Sequence, residues 1–319
     1  MSTYKGIADA NETIVAHGWY AAPSGTAVQI GDAVAAACAG TVSYSPDDLD
    51  RLMDDVAPGT AAPRLEVTGE SSMSAARRLY DETVGVGAGS GAGEGAGSGA
   101  GSGAGSGAGA GSDVGAAADS GRIGVLNFAS ARNAGGGYLG GARAQEEDLC
   151  RVSALYTTLR QAPDYYAAHR ASRDLAYSHR VIYSPDVPVY RDVKYRLLET
   201  PYQVAFLTSP APNAGAITRR NPADAAAIPD LLAARAARVL ATAARHGCRS
   251  LVLGAWGCGV FSNGPAQVAA AFQLHLTAGG TFEGSFERIV FAVLDKTPAQ
   301  PNLSAFRTAF GAAADPTRP

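Results

Sequence analysis

Two acidic residues follow a cluster of glycines in the segment GGGYLGGARAQEE, which spans residues 135–147. Glycine has no Cβ, so the backbone amides of such a segment can surround a phosphate group. Glu146 and Glu147 fall in the first turn of a helix predicted to begin at Gln145, where adjacent residues point about 100° apart. One carboxylate is then free to protonate a departing oxygen and activate water, while the other holds a neighbouring hydroxyl. The pattern therefore favours chemistry on a phosphorylated sugar.

The glycines and acids also have other interpretations. Gly135, Gly137 and Gly140 match the G-x-G-x-x-G pattern of dinucleotide-binding proteins, in which the first glycine directly follows a strand and an acid comes about twenty residues later. Here SARNA intervenes and the later residues read LRQAP, which disfavours that pattern. The cluster could instead be a flexible loop, and the acids could be ordinary helix-start residues. A phosphate cradle is favoured because the cluster lies between a buried strand and an amphipathic helix.

A second glycine-containing loop, WGCGVFSNG, occupies residues 256–264 after another predicted strand. Phe261 within this loop is suited to stacking on a sugar or a base, and packing of its ring into the core is the alternative. Asn127 and Asn133 are candidates for binding ribose hydroxyls, the alternative for Asn133 being a cap of its own turn. Histidines and cysteines lack the spacing of a metal site, so no metal is expected.

The composition limits the possible partners. The chain has 319 residues, of which 46% are hydrophobic and 17% charged, and its formal net charge is −3. It is long enough for a large core, and its near-neutral charge argues against binding nucleic acid through bulk charge, so no sequence-specific nucleic-acid binding is expected. No apolar run reaches the length of a membrane span, no signal-peptide core is found, and the four cysteines have no paired spacing. We therefore expect reduced thiols, a cytoplasmic location and no membrane partner.

Strands and helices alternate after residue 121, which predicts an α/β fold with helices on both faces of a sheet. The predicted strands are 122–129, RVIYSPDVPVY, YQVAFLTSP, the start of SLVLGAWGCGVFSNG, and FERIVFAVLD; the predicted helices are one from Gln145 to about Leu159, 228–247 and PAQVAAAFQLHL. Ligands of such sheets bind at the carboxyl ends of the strands. Both glycine loops, 135–141 and 257–264, are expected at that end.

Composition also divides the chain into three parts. Residues 85–112 consist almost entirely of Gly, Ala and Ser, which predicts a flexible insertion without a direct chemical role. Residues 1–84 are predicted to be a mainly helical accessory region that packs on the rest, and residues 113–319 the catalytic core. The predicted accessory elements are a helix at 3–18, strands at 26–30 and 64–69, and helices in SPDDLDRLMDDVA and SSMSAARRLYDE.

The segment VLNFASARNAGGGYLGGARAQEEDLCRVSALY resembles the bacterial-type poly(ADP-ribose) glycohydrolases, a branch of the macrodomain superfamily. Their hallmark is a GGG stretch followed a few residues later by QEE, and residues 135–137 and 145–147 match it. The resemblance extends to GCGVFSN and, more loosely, to the accessory region. It covers most of the chain apart from the Gly/Ala/Ser tract. The two linked motifs are far more specific than the glycines alone.

The resemblance implies a three-layer α/β/α macrodomain with a mixed sheet, which holds the terminal ADP-ribose unit of the polymer. It implies that Glu147 is the general acid/base at the ribose–ribose bond, that Glu146 fixes a ribose hydroxyl and that Phe261 orients the ribose. The implied substrate-binding residues are Asn127, Asn133, Gly135, Gly136, Gly137, Gln145, Gly257, Gly259, Val260 and Phe261, with glycines 135–137 and loop 257–261 around the diphosphate. The implied enzyme is a monomer that needs no cofactor, releases ADP-ribose from the chain end and acts in the DNA damage response.

The motifs leave three other functions open. A hydrolase that removes single ADP-ribose units from protein or nucleic acid would bind the same terminal unit. A non-catalytic ADP-ribose-binding macrodomain is disfavoured by the two acids, because binding alone does not require a buried acid. A nicotinamide-dinucleotide oxidoreductase is disfavoured by the context of the glycines.

Two residues depart from the family pattern. Ala134 stands where these proteins usually have proline, which loosens the glycine loop. Ser262 replaces a common glycine, and serine is strained there if the position requires a positive φ.

Overall fold

The computed structural model describes residues 3–57, 59–60, 63–89 and 121–311. The strands in these residues are β1 (Trp19–Ala21), β2 (Ala27–Gln29), β3 (Val42–Tyr44), β4 (Arg64–Thr68), β5 (Arg122–Phe128), β6 (Val181–Arg191), β7 (Leu197–Ser209), β8 (Cys248–Leu253) and β9 (Arg288–Ala292). β1 and β2 pair with each other, and the other strands form one sheet in the order β3-β6-β7-β5-β8-β9-β4.

Strand direction brings the two glycine loops together. β5 is parallel to both of its neighbours, β7 and β8, and β9 and β4 continue in the same direction. β6 is antiparallel to β7 and β3, so the sheet is mixed, as the resemblance implied. Parallel neighbours end at the same edge of a sheet, so the segments after β5 and β8 leave it side by side. This confirms the expectation that loops 135–141 and 257–264 share one edge.

Local sequence signals mark the start of two of the helices. The helices are α1 (Tyr4–His17), α2 (Gly31–Ala39), α3 (Pro46–Asp54), α4 (Ser72–Gly89), α5 (Gln145–Val152), α6 (Leu155–Leu159), α7 (Pro163–Ala171), α8 (Ala214–Arg220), α9 (Ile228–Arg245), α10 (Pro265–Leu276) and α11 (Pro301–Phe310). Ser45 and Asp48 form a reciprocal capping box on α3. Pro265 occupies the first position of α10, where a missing N–H is not required.

Two apolar clusters cover the two faces of the sheet, which gives the three-layer α/β/α architecture. Leu126 and Leu207 belong to the cluster that also contains buried residues of α3, α9, α10 and α11. Their sequence neighbours Val125 and Phe206 belong to the other cluster, with buried residues of α1, α2, α4, α5, α6 and α7. This alternation follows from the two-residue period of a strand with both faces buried.

The single helix predicted from Gln145 to about Leu159 was wrong. Ser153 is extended, with φ −141° and ψ 175°, and separates α5 from α6. It forms an isolated antiparallel bridge with Val189 of β6, and the amide of Ala154 donates to the carbonyl of Pro188 at 3.0 Å. The apolar spacing continues through the break, but pairing with a distant strand replaces the helical hydrogen bonds there.

The region before the Gly/Ala/Ser tract contributes both edges of the main sheet. β3 and β4 belong to residues 1–84, whereas the five strands between them come from residues after 121. The main sheet therefore includes strands from before and after the Gly/Ala/Ser tract. The division of the chain at residues 84 and 112 stays a prediction. Of the predicted insertion 85–112, residues 85–89 form the end of α4, and the rest lies outside the described residues.

Neither a membrane-spanning helix nor a disulfide occurs in the described part of the chain. No helix there is long and apolar enough to cross a membrane. All four cysteines lie in described segments and are unpaired.

A buried carboxylate connects edge strand β4 to its neighbours. Glu66 is 1% exposed, and its carboxylate lies 2.6 Å from Arg288 of β9 and 3.1 Å from Arg78 of α4. Both guanidiniums are mostly buried, so solvent screens these ion pairs less than surface pairs. The acid therefore joins the edge strand both to the sheet and to the helix above it.

We expect Glu66→Gln to lower the free energy of unfolding by about 2 kcal/mol, because Arg78 and Arg288 lose their buried charge partner and keep only the more exposed pairs with Glu70 and Glu82. Urea denaturation measures the difference. Glu287→Gln is the control, since Glu287 forms an exposed pair with Arg249 at 3.0 Å and such pairs contribute about 0–1 kcal/mol. Equal losses in the two variants would show that burial of the Glu66 pairs has no special importance.

Candidate active site

The site lies where the segments after β5 and β8 leave the sheet. The first segment carries residues 129–144 and leads into α5, whose first residues are Gln145, Glu146 and Glu147. The second carries residues 254–264 and leads into α10. The structure therefore brings both sequence motifs to one edge, with the two acids at the start of a helix.

Glu146 is held inside the protein by hydrogen bonds to both of its oxygens. It is 3% exposed, Oε1 accepts from Asn127 Nδ2 at 3.2 Å and Oε2 accepts from the amide of Ser130 at 2.7 Å. Asn127 also donates to Thr208 Oγ1 at 3.2 Å, which links the acid to β7. Burial raises the pKa of Glu146 to about 8, and the hydrogen bonds from Ser130 and Asn127 offset only part of that rise. The group is therefore mostly protonated at neutral pH.

Glu147 is anchored through one oxygen only. It is 7% exposed, and Oε1 accepts a hydrogen bond from the amide of Gly137 at 2.8 Å. Its other oxygen, Oε2, is buried and has no hydrogen-bond partner among the described residues. A buried carboxyl oxygen without a partner is uncommon in native proteins and calls for a functional explanation. The arrangement leaves Oε2 available to a bound molecule.

The glycine cluster allows the backbone to approach these acids closely. Gly136 has φ +57°, and a Cβ placed there would lie 2.4 Å from Glu147 Oε1 and 3.2 Å from Glu146 Oε2. Gly135 has φ +65°, and its Cβ would lie 2.8 Å from the ring of Tyr156. The amide of Gly136 donates to the carbonyl of Asn133 at 3.0 Å. The glycines thus place the acids, and the amides of Gly136 and Gly137 are bound to protein groups.

The loop after β8 offers several backbone donors. No described group accepts a hydrogen bond from the amides of Gly257, Gly259, Val260 or Phe261. Val260 is 85% exposed, so this part of the loop faces solvent. Successive unbound amides form a concave anion-binding site of the kind that holds phosphates. Of the two predicted phosphate-binding segments, this one has the free donors.

The sequence predicts strain at Ser262 if that position requires a positive φ, and the structure has one there. Its φ is +56°, which serine rarely adopts. Gly257, with φ +72°, would carry a Cβ only 2.4 Å from Ala211 and 2.5 Å from Asn263 Nδ2, so this glycine is required for close packing of the loop.

The remaining predicted site residues have mixed surroundings. Phe261 is half-buried, packing partly on the core and partly on the ring of Tyr177, whose centroid is 5.7 Å away. Asn133 is exposed. Gln145 accepts from the amide of Phe128 at 2.8 Å and donates to the carbonyl of Leu126 at 2.8 Å. The Gln145 side chain is therefore bound to β5 and positions the start of α5; substrate binding by Gln145 stays a prediction.

Two buried residues of the site were missed in the sequence. Asn263 Nδ2 donates to the carbonyls of Pro212 at 2.8 Å and Gly257 at 3.2 Å, which fixes the second loop. Arg151 is fully buried and bonds to Asp148 at 2.9 Å and to the carbonyl of Ala142. An Asp and an Arg three residues apart on a predicted helix indicate an ion pair from the sequence, whereas Pro212, one of the two partners of Asn263, is distant in sequence.

No group of three or more potential metal ligands is found among the described histidines, cysteines, aspartates and glutamates. The site thus consists of two buried acids beside a loop of free amides in a macrodomain-like α/β/α fold. This combination defines a class of protein, the glycosidases that act on phosphorylated sugars.

Comparisons with known proteins identify the family. Residues 8–192 match the family model of the microbial-type PARG catalytic domain, where PARG denotes poly(ADP-ribose) glycohydrolase. The structure of that enzyme from Thermomonospora curvata is 45% identical, with a TM-score of 0.80, and the match covers 96% of this chain and 99% of that one. The chain belongs to the microbial-type poly(ADP-ribose) glycohydrolase family and is therefore an enzyme of the glycosidase class.

Two further solved structures contain ligands. The Thermomonospora curvata enzyme bound to the inhibitor ADP-HPD is 45% identical, covering 96% of this chain and 99% of that one with a TM-score of 0.78. The Deinococcus radiodurans enzyme in complex with ADP-ribose is 40% identical, covering 87% and 97% with a TM-score of 0.72. The comparison with curated proteins returned no match.

The raised pKa of Glu146 makes stability depend on pH. The folded protein keeps a proton on Glu146 up to a pKa of about 8, whereas the unfolded chain releases it near the ordinary value of 4.5. Between these values the folded state binds more protons, so the free energy of unfolding falls as the pH rises. Across this interval the effect amounts to at most about 5 kcal/mol, and Glu146→Gln removes it. Urea denaturation at a series of pH values tests it, and parallel curves for wild type and variant would contradict it.

Proposed function

We propose that the chain hydrolyses the ribose–ribose O-glycosidic bond at the end of poly(ADP-ribose) and releases ADP-ribose. The observation that carries the proposal is the buried, unpartnered Oε2 of Glu147, an acid positioned beside a loop of free amides. The ADP-ribose and ADP-HPD complexes of the related enzymes support ADP-ribose as the unit that this site binds.

The free amides of loop 257–261 are the proposed donors to the diphosphate of the terminal unit. Phe261 lies on the same loop and is half-exposed, so its ring is able to contact the adjoining ribose. Asn127 Oδ1 is buried and has no hydrogen-bond partner among the described residues, which makes it a candidate acceptor from a ribose hydroxyl or a bound water. In this arrangement the ribose lies between Phe261 and the two acids.

Glu147 is the proposed general acid and base. Glu147 in its protonated form donates the Oε2 proton to the leaving ribose oxygen as the glycosidic bond breaks through an oxocarbenium-like state. The resulting carboxylate then accepts a proton from the water that attacks the ribose, which restores the acid. Its Oε1 stays bound to the amide of Gly137 throughout. Neutral Glu146 is able to donate its proton to a hydroxyl of the same ribose, and its lack of charge reduces repulsion from the substrate diphosphate.

We also propose that the chain acts as a monomer, because one chain supplies both acids and both loops. The proposed location is the cytoplasm, where the four unpaired cysteines would stay reduced. A part in the DNA damage response completes the proposal. In irradiated cells that lack this chain, we expect the polymer to persist. In cells that contain it, we expect to find the chain in the cytosolic fraction.

Glu147→Gln tests the reaction and the acid together. The amide keeps the size of the side chain but has no proton to transfer, so we expect release of ADP-ribose from purified poly(ADP-ribose) to fall at least about 1,000-fold while ADP-ribose binding is retained. Chromatography of released ADP-ribose and calorimetric titration with ADP-ribose provide the two measurements. Wild-type protein that binds ADP-ribose without releasing any would remove the polymer assignment and favour a reader or a hydrolase of single units.

Gly136→Ala tests whether the glycine is required to place the acids. The added methyl group would collide with Glu147 Oε1 at 2.4 Å and would impose a positive φ on alanine, so we expect at least about a 100-fold loss of polymer hydrolysis. Gly140→Ala is the matched control, because nothing lies within 4 Å of a Cβ at that position and no positive φ is required. Comparable losses of polymer hydrolysis in both variants would show that the loop tolerates no added methyl group, and would contradict a specific requirement for glycine at position 136.

A further inference from the structure

The loop between α7 and β6, residues 172–180, borders the site on one side. The ring of Tyr177 in this loop packs on Phe261, with their centroids 5.7 Å apart. The side chain of Arg132 donates to the carbonyl of Ser172 at 3.2 Å. Arg132 follows Ser130, whose amide binds Glu146, by two residues. The loop is thus connected both to the proposed ribose-contacting ring and to the segment that holds the acids.

Tyr177 has a strained backbone. Its φ is +60°, which is a clear outlier for a bulky side chain. Arg235 of α9 maintains this conformation, because it is fully buried and donates to the carbonyls of Ala176 at 2.8 Å, Tyr177 at 3.2 Å and Pro210 at 2.7 Å. The partners of this buried cation are three carbonyls and the ring of His179, with no carboxylate among them, which is costly. Backbone strain such as that of Tyr177 is typical of functional sites.

The residue after Tyr177 is fixed from the other side. Ser178 Oγ lies 2.8 Å from His169 Nε2, and the amide of Ser178 also donates to that nitrogen at 3.2 Å. Burial lowers the pKa of His169 to about 4, so the ring is neutral and its Nε2 accepts. Both neighbours of Tyr177 are therefore bound to buried residues, whereas the Tyr177 ring is half-exposed beside the site.

The same side of the site has exposed arginines without acidic partners. Arg132 and Arg170 form no ion pair with any described residue, and Arg170 Nη1 donates to the carbonyl of Arg132 at 2.8 Å. Asp174, the acid of the loop, accepts from the amide of Ala176 at 2.8 Å. A guanidinium has five donors, so one or two carbonyl contacts leave several free for a phosphate.

We propose that Arg132, Arg170 and Tyr177 form a leaving-unit site, which binds the ADP-ribose unit on the far side of the scissile bond. The inference rests on the proposed function. The leaving unit is attached to the ribose carbon beside Glu147, so it leaves the site past the residues that adjoin the acids and Phe261. Its diphosphate matches the two guanidiniums that form no ion pair, and its adenine matches the half-exposed ring of Tyr177. The site distinguishes a polymer from a single ADP-ribose unit.

The double variant Arg132→Gln/Arg170→Gln tests the charged part. We expect kcat/KM for purified poly(ADP-ribose) to fall about tenfold and to depend less on salt, because two phosphate contacts are lost. The affinity for free ADP-ribose, which fills only the terminal site, should not change. Arg245→Gln is the matched control, since Arg245 is exposed, forms no ion pair with a described residue and ends α9 beside the start of β8, at the opposite edge of the sheet.

Tyr177→Gly tests the ring and the strain together. Glycine adopts φ +60° without strain, so we expect the melting temperature to stay the same or rise, while KM for the polymer rises severalfold and ADP-ribose affinity is retained. A purely structural role for the ring would instead lower the melting temperature or weaken ADP-ribose binding.

The outcomes separate this inference from the proposed function. Wild-type protein that releases no ADP-ribose from polymer would contradict the function itself. Active wild type with unchanged polymer kinetics in both variants would overturn the leaving-unit site alone. So would equal losses for polymer and free ADP-ribose, or the same loss in Arg245→Gln.

Discussion

The hydrogen bond from the Gly137 amide to Glu147 Oε1 is the contact on which the site depends. At 2.8 Å it fixes one oxygen of the acid and leaves the other, Oε2, buried without a partner. The bond forms only because Gly136 has no Cβ, and only if α5 begins where it does. Gln145 determines that start by binding two backbone groups of β5. Loop, helix and strand therefore place the acid jointly, and none of them does so alone.

Burial of two adjacent carboxyl groups has an electrostatic consequence. Two charges this close in a dry site would repel each other, and removal of one charge is the less costly solution. Burial raises the pKa of Glu146 to about 8, so Glu146 carries little charge at physiological pH. The start of a helix favours whatever negative charge remains on the pair. An approaching diphosphate therefore meets less negative charge than the sequence, with its two acids and its net charge of −3, would indicate.

Local patterns allowed most elements and the shared edge of the two loops to be predicted, as well as the strain at Ser262. The break at Ser153 could not be predicted, because Leu149 and Tyr156 keep helical spacing on either side and the cause is a bridge to the distant Val189. The glycine cluster shows a different limit. Glycines indicate that the backbone approaches an anion closely, but not whether the anion is a ligand or the carboxylate of the protein itself. In residues 135–137 it is largely the carboxylate of Glu147.

Phe261 lies between two strained residues, Tyr177 against its ring and Ser262 next in the chain, both with positive φ. Buried Arg235 binds the carbonyl of Tyr177, and buried Asn263, the residue after Ser262, binds the carbonyls of Pro212 and Gly257. Strain of this kind lowers the stability of the folded protein, so the arrangement persists only because the surrounding contacts over-determine it. At Tyr177 the benefit is a ring that is fixed beside the site before the polymer binds. Binding of the leaving unit on this ring then loses little side-chain entropy.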